Sequence, residues 1–404
     1  MTSPVADTSP QVPASSGKAA LPTIYLDHGA TSWPKPAAVV SAVTESLTVY
    51  GGNPGRGAYR MAMATTRLIH EARRDVAAFL GVPSARDLLF QSGCTEAMNL
   101  VLRGLLAPGD RVVACSMEHN AVARPLYAMA AAGVDLVVIQ ADETGTVDID
   151  EVERAVAAAP TRAVVCQHAS NLTGAIQPVA DLADVAHAHG ALMLVDGAQA
   201  GGHVEVDLAT LGADAWACSG HKGMLGPQGI GVLYLASTVD PVPLVLGGTG
   251  GGSSEETGAP ALRPERYEAG TPNTPGIAGL GAAARYLRVH AAEQRQLEHA
   301  LVRMLHEGVL GIGGFRVLGP EPGEHRVPIL AITHEHIDAD RLAFALDRRF
   351  GIAARAGLHC APWAHRTVGT IDTGALRFGI GFCNTETDIA RALDALTELT
   401  DELQ

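Results

Sequence analysis

Between Asp87 and Leu235 the chain alternates short apolar runs with amphipathic stretches, and this alternation restricts the folds open to it. The apolar runs are Leu88–Gln91, Arg111–Ser116, Asp135–Gln140, Ala163–Gln167, Leu192–Asp196, Ala213–Ser219 and Gly229–Leu235. Most are continuous rather than alternating, the pattern of strands covered on both faces. Helix-like segments separate several of them: Thr95–Leu106, Asn120–Ala132, Asp148–Ala158 and Pro178–His189. Strands alternating with helices predict an α/β fold, a doubly wound and mostly parallel sheet of seven strands. Gly226-Pro227-Gln228-Gly229 makes a tight turn, which lets the last run return antiparallel.

The remaining chain divides around this unit. Residues 1–20 are rich in Ser, Pro and Ala without an apolar signal region, and read as a disordered tail. Residues 21–34 form an N-terminal segment, and 35–274 make up the large domain. Gly247–Arg266 reads as a long loop. Thr274–Glu307 is largely helical and can join two domains. Strand-like Phe315–Leu318, Val327–Thr333, Ile352–Ala356 and Ala375–Phe382 follow, with a last helix over Thr385–Leu403. Residues 275–404 thus read as a linking helix and a smaller α+β domain.

Several function classes fall away. The net charge of −14 disfavours a broad basic surface for nucleic acid or anionic lipid. No apolar run reaches membrane-spanning length. None of the six cysteines forms a C-x-x-C pair, which fits reduced thiols in a cytoplasmic protein. Cys115, Cys166, Cys218 and Cys383 lie in apolar runs and read as small core residues. No H-E-x-x-H motif occurs, and the pairs His187/His189 and His334/His336 lack ligand spacing on a helix, so no catalytic metal is expected.

Lysine usage points to chemistry. Of 29 basic residues only Lys18, Lys35 and Lys222 are lysine. Lysine, unlike arginine, readily loses its proton and acts as a nucleophile, and Lys222 closes an apolar run. Asp196 ends another, at the carboxyl end of a strand, where open α/β sheets gather ligands. A carboxylate there needs a cation, a metal or a protonated ring nitrogen. Ser92-Gly93-Cys94-Thr95-Glu96 follows a strand and opens a helix, which suits a phosphate or, equally, is an ordinary N-cap. Interior lysine, interior aspartate and a phosphate-type turn are together the parts that hold pyridoxal 5′-phosphate.

Asp196-Gly197-Ala198-Gln199 followed by Ser219-Gly220-His221-Lys222 resembles the paired motif of class V, fold-type I pyridoxal-phosphate enzymes. Tyr25–Thr31, Met117–Asn120 and Ser170–Gly174 resemble further segments of that family. Arg355–Pro362 resembles the loop carrying the catalytic cysteine of cysteine desulfurases and selenocysteine lyases. The resemblance runs from about Thr23 to the C-terminus. It implies that Lys222 is the Schiff-base lysine, Asp196 the partner of the pyridine nitrogen, and Gln199 the partner of the phenolic oxygen. It implies that His119 stacks on the ring, Asn171 lies beside it, and Cys94, Thr95, Ser219 and His221 surround the phosphate. It implies that Thr249 reaches a neighbouring subunit's phosphate, and hence a homodimer. The resemblance further implies that His28, Gly29, Asn171, Arg355 and Arg377 lie on the substrate side, with Arg377 binding the substrate carboxylate. His28-Gly29 stands where the family usually has Asn-Ala, and Cys94 where it has a small alanine. His28 then reads either as a further acid/base group or as a structural hydrogen-bonding residue.

The implied activity is removal of sulfur from L-cysteine to give L-alanine, with the sulfur left on Cys360 as a persulfide. Arg355, His359 and His365 are the candidates to favour a Cys360 thiolate. A related sulfur or selenium amino acid is an alternative substrate, and a sulfur-acceptor protein is a candidate partner. An aminotransferase, epimerase or carbon–sulfur lyase on the same fold is the second reading. A non-catalytic nucleotide-binding α/β protein is the third, and needs every motif above to be accidental.

Overall fold

The continuous apolar runs do become one sheet. A computed structural model describes residues 23–55, 57–249, 257–323 and 325–403. The expected tail at 1–20 and the glycines at 250–252 lie outside the described residues. The chain runs β1 (Ile24–Tyr25), α1 (Ala37–Thr48), α2 (Arg60–Phe79), β2 (Leu88–Gln91), α3 (Cys94–Leu105), β3 (Arg111–Cys115), α4 (Asn120–Ala131), β4 (Asp135–Ile139) and α5 (Ile149–Ala158). It continues through β5 (Ala163–Gln167), α6 (Val179–Ala188), β6 (Leu192–Asp196), β7 (Ala215–Ser219) and β8 (Gly231–Leu235) to α7 (Thr274–Leu310). The seven strands order as β2-β8-β7-β6-β5-β3-β4. All neighbours from β7 through β4 pair parallel, and β8 runs antiparallel to both β7 and β2.

That reversal matters for the site. Because β8 opposes both its neighbours, β2 points the same way as β7, and its carboxyl end joins those of β3 to β7. The turn after β2, which opens α3, is thereby brought to the edge where Asp196 and Ser219 end their strands.

Helices cover both faces. Val39, Ile69, Val76, Leu182, Leu280 and Leu287 from α1, α2, α6 and α7 pack on one side. Met98, Val101, Leu102, Val122 and Leu126 from α3 and α4 pack on the other. Both faces being covered is why the strands are apolar throughout. The helices α1 and α2 were not foreseen. The inward stripe of α2 is built from small residues such as Ala62, Thr65 and Ala72 around Ile69 and Val76, a weak apolar signal.

Helix α7 is 37 residues long. Its first half lies in the large core, and Leu301, Val302, Leu305 and Val309 lie in a second one. Asn273 caps it by accepting the Gly276 N–H at 3.0 Å. The second core belongs to β9 (Phe315–Leu318), β10 (Ile329–His334), α8 (Ala339–Ala345), β11 (Ile352–Ala353), β12 (Arg355–Gly357), α9 (Pro362–Thr367), β13 (Ala375–Gly379) and α10 (Glu386–Leu403). A four-stranded antiparallel sheet orders as β12-β13-β10-β9, and β1 pairs parallel with β11. The single strand expected over 352–356 is divided at Ala354, and its halves join different sheets. Among the described residues no helix is long and apolar enough to cross a membrane.

One core assignment is corrected. Cys115, Cys166 and Cys218 are buried, whereas Cys383 is exposed. The strand β13 ends at Gly379, so the apolar run past it continues in a turn rather than in the sheet.

Candidate active site

At the carboxyl edge of the large sheet, β6 delivers Asp196 and β7 delivers Ser219, three residues before Lys222. Asp196 is buried, and its Oδ1 accepts the Ala198 N–H at 2.9 Å and the Cys94 S–H at 3.2 Å. Burial lowers the pKa of Lys222, and the Asp196 charge opposes that shift. The turn holding Lys222 is tied down from the N-terminal segment. Ser32 N–H and Oγ, Thr31 Oγ1 and Lys35 Nζ all approach the His221 carbonyl oxygen, within 2.9–3.2 Å. Lys35 also donates to Ser32 Oγ at 2.7 Å, and burial lowers its pKa to about 8. The place of Lys35 beside the Lys222 turn comes from a contact across 186 residues.

The start of α3 faces the same edge. Cys94 N–H donates to Ser219 Oγ at 3.3 Å, and Thr95 is exposed at the first turn. Glu96 folds back to accept the Ser92 N–H at 2.6 Å. His119 caps α4, its Nδ1 accepting the Ala121 N–H at 3.0 Å. Burial first, then the Lys222 charge, lowers the His119 pKa to about 4, so its ring is neutral. Gln199 spends one Nε2 hydrogen on the Gly29 carbonyl at 2.8 Å.

Buried polar atoms left without protein partners test whether a cofactor fits here. Gln199 Oε1, Asn171 Oδ1, His221 Nδ1 and Arg377 Nε are all in that state. Such atoms are costly unless something else pairs with them. A ligand with an anionic group for His221 Nδ1 and the α3 terminus, a phenolic group for the Gln199 side chain and a protonated ring nitrogen for Asp196 matches the cofactor side of this set, leaving Asn171 Oδ1 and Arg377 Nε for a substrate. The residues fit pyridoxal 5′-phosphate.

The small domain supplies the opposite wall. Arg377 on β13 is 1% exposed, donating from Nη2 to Asp27 Oδ1 at 2.8 Å and from Nη1 to the Asn171 carbonyl at 3.0 Å. Arg355 lies directly across from it on β12. Gly29 leaves room for the guanidinium, since a Cβ there would sit 3.2 Å from Arg377 Cζ. The loop after β12 carries His359 and Cys360, both left-handed at φ 50° and 57°. It is pinned on both sides: Asn120 N–H donates to the Cys360 carbonyl and Asn171 Nδ2 to the His359 carbonyl, each at 2.8 Å. Cys360 is exposed.

Known proteins resemble this chain in sequence and in fold. The sequence profile of the class-V aminotransferase family matches residues 24–392. The chain belongs to that family. A probable cysteine desulfurase of Methanothermobacter thermautotrophicus is 38% identical, over 93% of this chain and 94% of its own. One from Halalkalibacterium halodurans is 35% identical, over 91% of each. Among solved structures, a cysteine desulfurase from Thermococcus onnurineus superposes with a TM-score of 0.88 at 32% identity, covering 94% of this chain and 95% of its own. One from Escherichia coli gives 0.83 at 29% identity, with the same coverage of both chains.

Against this family background one expectation is corrected. His359 and His365 do not supply positive charge to Cys360. Their rings meet at 3.3 Å, His359 Nε2 faces the Arg355 carbonyl at 3.1 Å, and His365 Nδ1 faces Thr370 Oγ1 at 2.7 Å. Burial lowers their pKa values to about 3 and about 4, so both are neutral. Of the three candidates only Arg355 is a permanent cation. His28 is likewise buried and lowered to about 3, chiefly by burial, and its Nδ1 has no partner. It sits edge-on to Tyr25, with ring centroids 5.0 Å apart. Such a ring is a poor proton acceptor and fits the structural alternative. Thr249 is not gathered with the other residues; it lines a separate cavity of about 450 Å³ with Asn53, Thr66, His70 and Arg73.

Proposed function

We propose that this enzyme binds pyridoxal 5′-phosphate at Lys222 and removes sulfur from L-cysteine, yielding L-alanine and a persulfide on Cys360. The observation that carries the reading is the pinning of the Cys360 loop. Its backbone bonds to Asn120, next to His119, and to Asn171, which also receives Arg377. A nucleophilic thiol is thereby held against the segments that line the lysine pocket.

When bound, the cofactor supplies an electron sink for charge released at the substrate Cα. Asp196 would pair with its ring nitrogen, Gln199 with its phenolic oxygen, and His119 would lie against its ring. Cys94, Thr95, Ser219 and His221 would hold its phosphate. Arg377 receives the substrate carboxylate, with Gly29 and Arg355 beside it. Lys222, its pKa lowered, moves the proton at Cα. The Cys360 thiolate attacks the substrate sulfur, so that an S–S bond forms as the Cβ–S bond breaks. The electron pair passes to Cβ, which takes a proton and becomes the methyl of alanine. In balance, L-cysteine and the Cys360 thiol become L-alanine and the Cys360 persulfide.

The same reading includes a homodimer in which Thr249 reaches the partner's phosphate site. Exposed Val242, Leu244, Val245 and Leu246 just before it support a covered face. It also includes a cytoplasmic enzyme and a protein acceptor for the sulfur. Incubation with L-cysteine and pyridoxal 5′-phosphate, with product identification, tests the core claim. Alanine in step with a persulfide mapped to Cys360 is expected. Pyruvate in place of alanine, or pyridoxyl label on Lys35 after borohydride reduction, would overturn it.

A further inference from the structure

Cys94 reaches from the start of α3 to the end of β6. Its Sγ lies 3.2 Å from Asp196 Oδ1 and 3.5 Å from the Ala217 carbonyl oxygen. A thiol has one proton to give, and the nearer, charged acceptor takes it. The same Oδ1 accepts the Ala198 N–H at 2.9 Å. Among the described residues both protein donors to this carboxylate fall on Oδ1, and Oδ2 receives none. The Cys94 backbone is committed too, through its N–H to Ser219 Oγ at 3.3 Å. One residue thus joins the helix start, the end of β7 and the buried carboxylate. Cys94 is 3% exposed, so it has no access for nucleophilic work. Burial and the adjacent carboxylate raise its pKa well above the usual thiol value, which keeps it a donor.

We propose that Cys94 is a positioning residue for Asp196: its S–H fixes Oδ1, leaves Oδ2 for the cofactor ring nitrogen, and weakens the carboxylate as that nitrogen's partner. The proposal rests on the pyridoxal-phosphate reading above. A thiol is a weak donor, so Asp196 retains most of its charge. A serine at this position draws more charge toward Oδ1, and an alanine draws none. The strength with which Asp196 holds the ring therefore follows the order alanine, cysteine, serine.

Two measurements test this on Cys94→Ala and Cys94→Ser. The first needs no cofactor. The infrared difference between wild-type apoprotein and Cys94→Ala isolates one S–H stretch among the six cysteines. That band is expected at lower wavenumber than a free thiol, and to move upward in Asp196→Ala. A band at the free-thiol position that ignores Asp196→Ala overturns the proposal. The second reads the cofactor itself. Cys94→Ala should release pyridoxal phosphate more slowly than wild type and Cys94→Ser faster, each by about two- to fivefold, the scale of one modest hydrogen bond. Their visible absorption maxima should shift in opposite directions. Shifts in the same direction in both variants report packing and overturn the proposal. A wild-type protein that takes up no pyridoxal phosphate, while the infrared band responds to Asp196→Ala, overturns the cofactor reading and with it this role, and leaves only the thiol–carboxylate bond.

Discussion

Gly29→Ala adds one methyl group and places it against the residue assigned to the substrate carboxylate. Gly29 is not left-handed, so alanine takes up this backbone without strain. The new Cβ would lie 3.2 Å from Arg377 Cζ, 3.3 Å from Arg377 Nη2 and 3.3 Å from Ile329 Cδ1. These are tighter than ordinary contacts, and the guanidinium must retreat by a few tenths of an ångström. It has little freedom to do so, being held at 2.8 Å by Asp27 and at 3.0 Å by the Asn171 carbonyl. Its Nε has no protein partner, which leaves a donor for substrate. A hydrogen bond to a charged group contributes about 1.5–3 kcal/mol. Losing one to the bound carboxylate corresponds to a roughly 10- to 150-fold fall in kcat/KM. The reacting sulfur is untouched, so the loss should appear mainly as a higher KM in steady-state alanine formation. Arg377→Lys should show the same direction, because an ammonium lacks the guanidinium fork. A Gly29→Ala enzyme with KM within about twofold of wild type would refute the placement of Arg377 at the carboxylate.

Cys360→Ala should still take up L-cysteine, seen as a change in visible absorption, while alanine formation drops by at least about a hundredfold; wild-type alanine formation would end the persulfide assignment. Gly381→Ala would drive a Cβ into the His28 ring and should destabilise the protein by about 1–3 kcal/mol in urea unfolding, as overpacking does. An unchanged urea midpoint would show that the His28 packing is loose. Six buried or half-buried histidines set an acid limit: His28 and His359 at about 3, and His119, His168, His221 and His365 at about 4, against an ordinary 6.5. The folded chain resists protons that the unfolded chain accepts between these values, so stability falls as pH drops below about 6.5 and is level above it on this account. A urea midpoint at about pH 5 equal to or above that at about pH 7.5 would contradict the sign.

The sequence by itself determined the large sheet. A strand covered on both faces must be apolar at every position, so Ala163–Gln167 and Leu192–Asp196 were legible to the residue. It also exposed Lys222 and Asp196, because an isolated lysine and an aspartate closing apolar runs contradict their surroundings and call for a ligand. The division of Ile352–Ala356 between two sheets was not legible, since pairing partners lie in β1 and β13, far along the chain. Nor was the exposure of Cys383, which depends on where β13 stops. His359 and His365 beside a cysteine looked like a source of positive charge; tertiary burial makes them neutral and turns them toward Arg355 and Thr370 instead. The reach of Lys35 to the His221 carbonyl and of the Cys94 thiol to Asp196 emerged only once β8 reversed direction and the N-terminal segment crossed to His221. Periodicity records which face of an element is covered, because that is a property of neighbouring residues. Protonation, donor partners and the reach of a side chain are set by atoms brought in from distant segments, and those only the folded chain supplies.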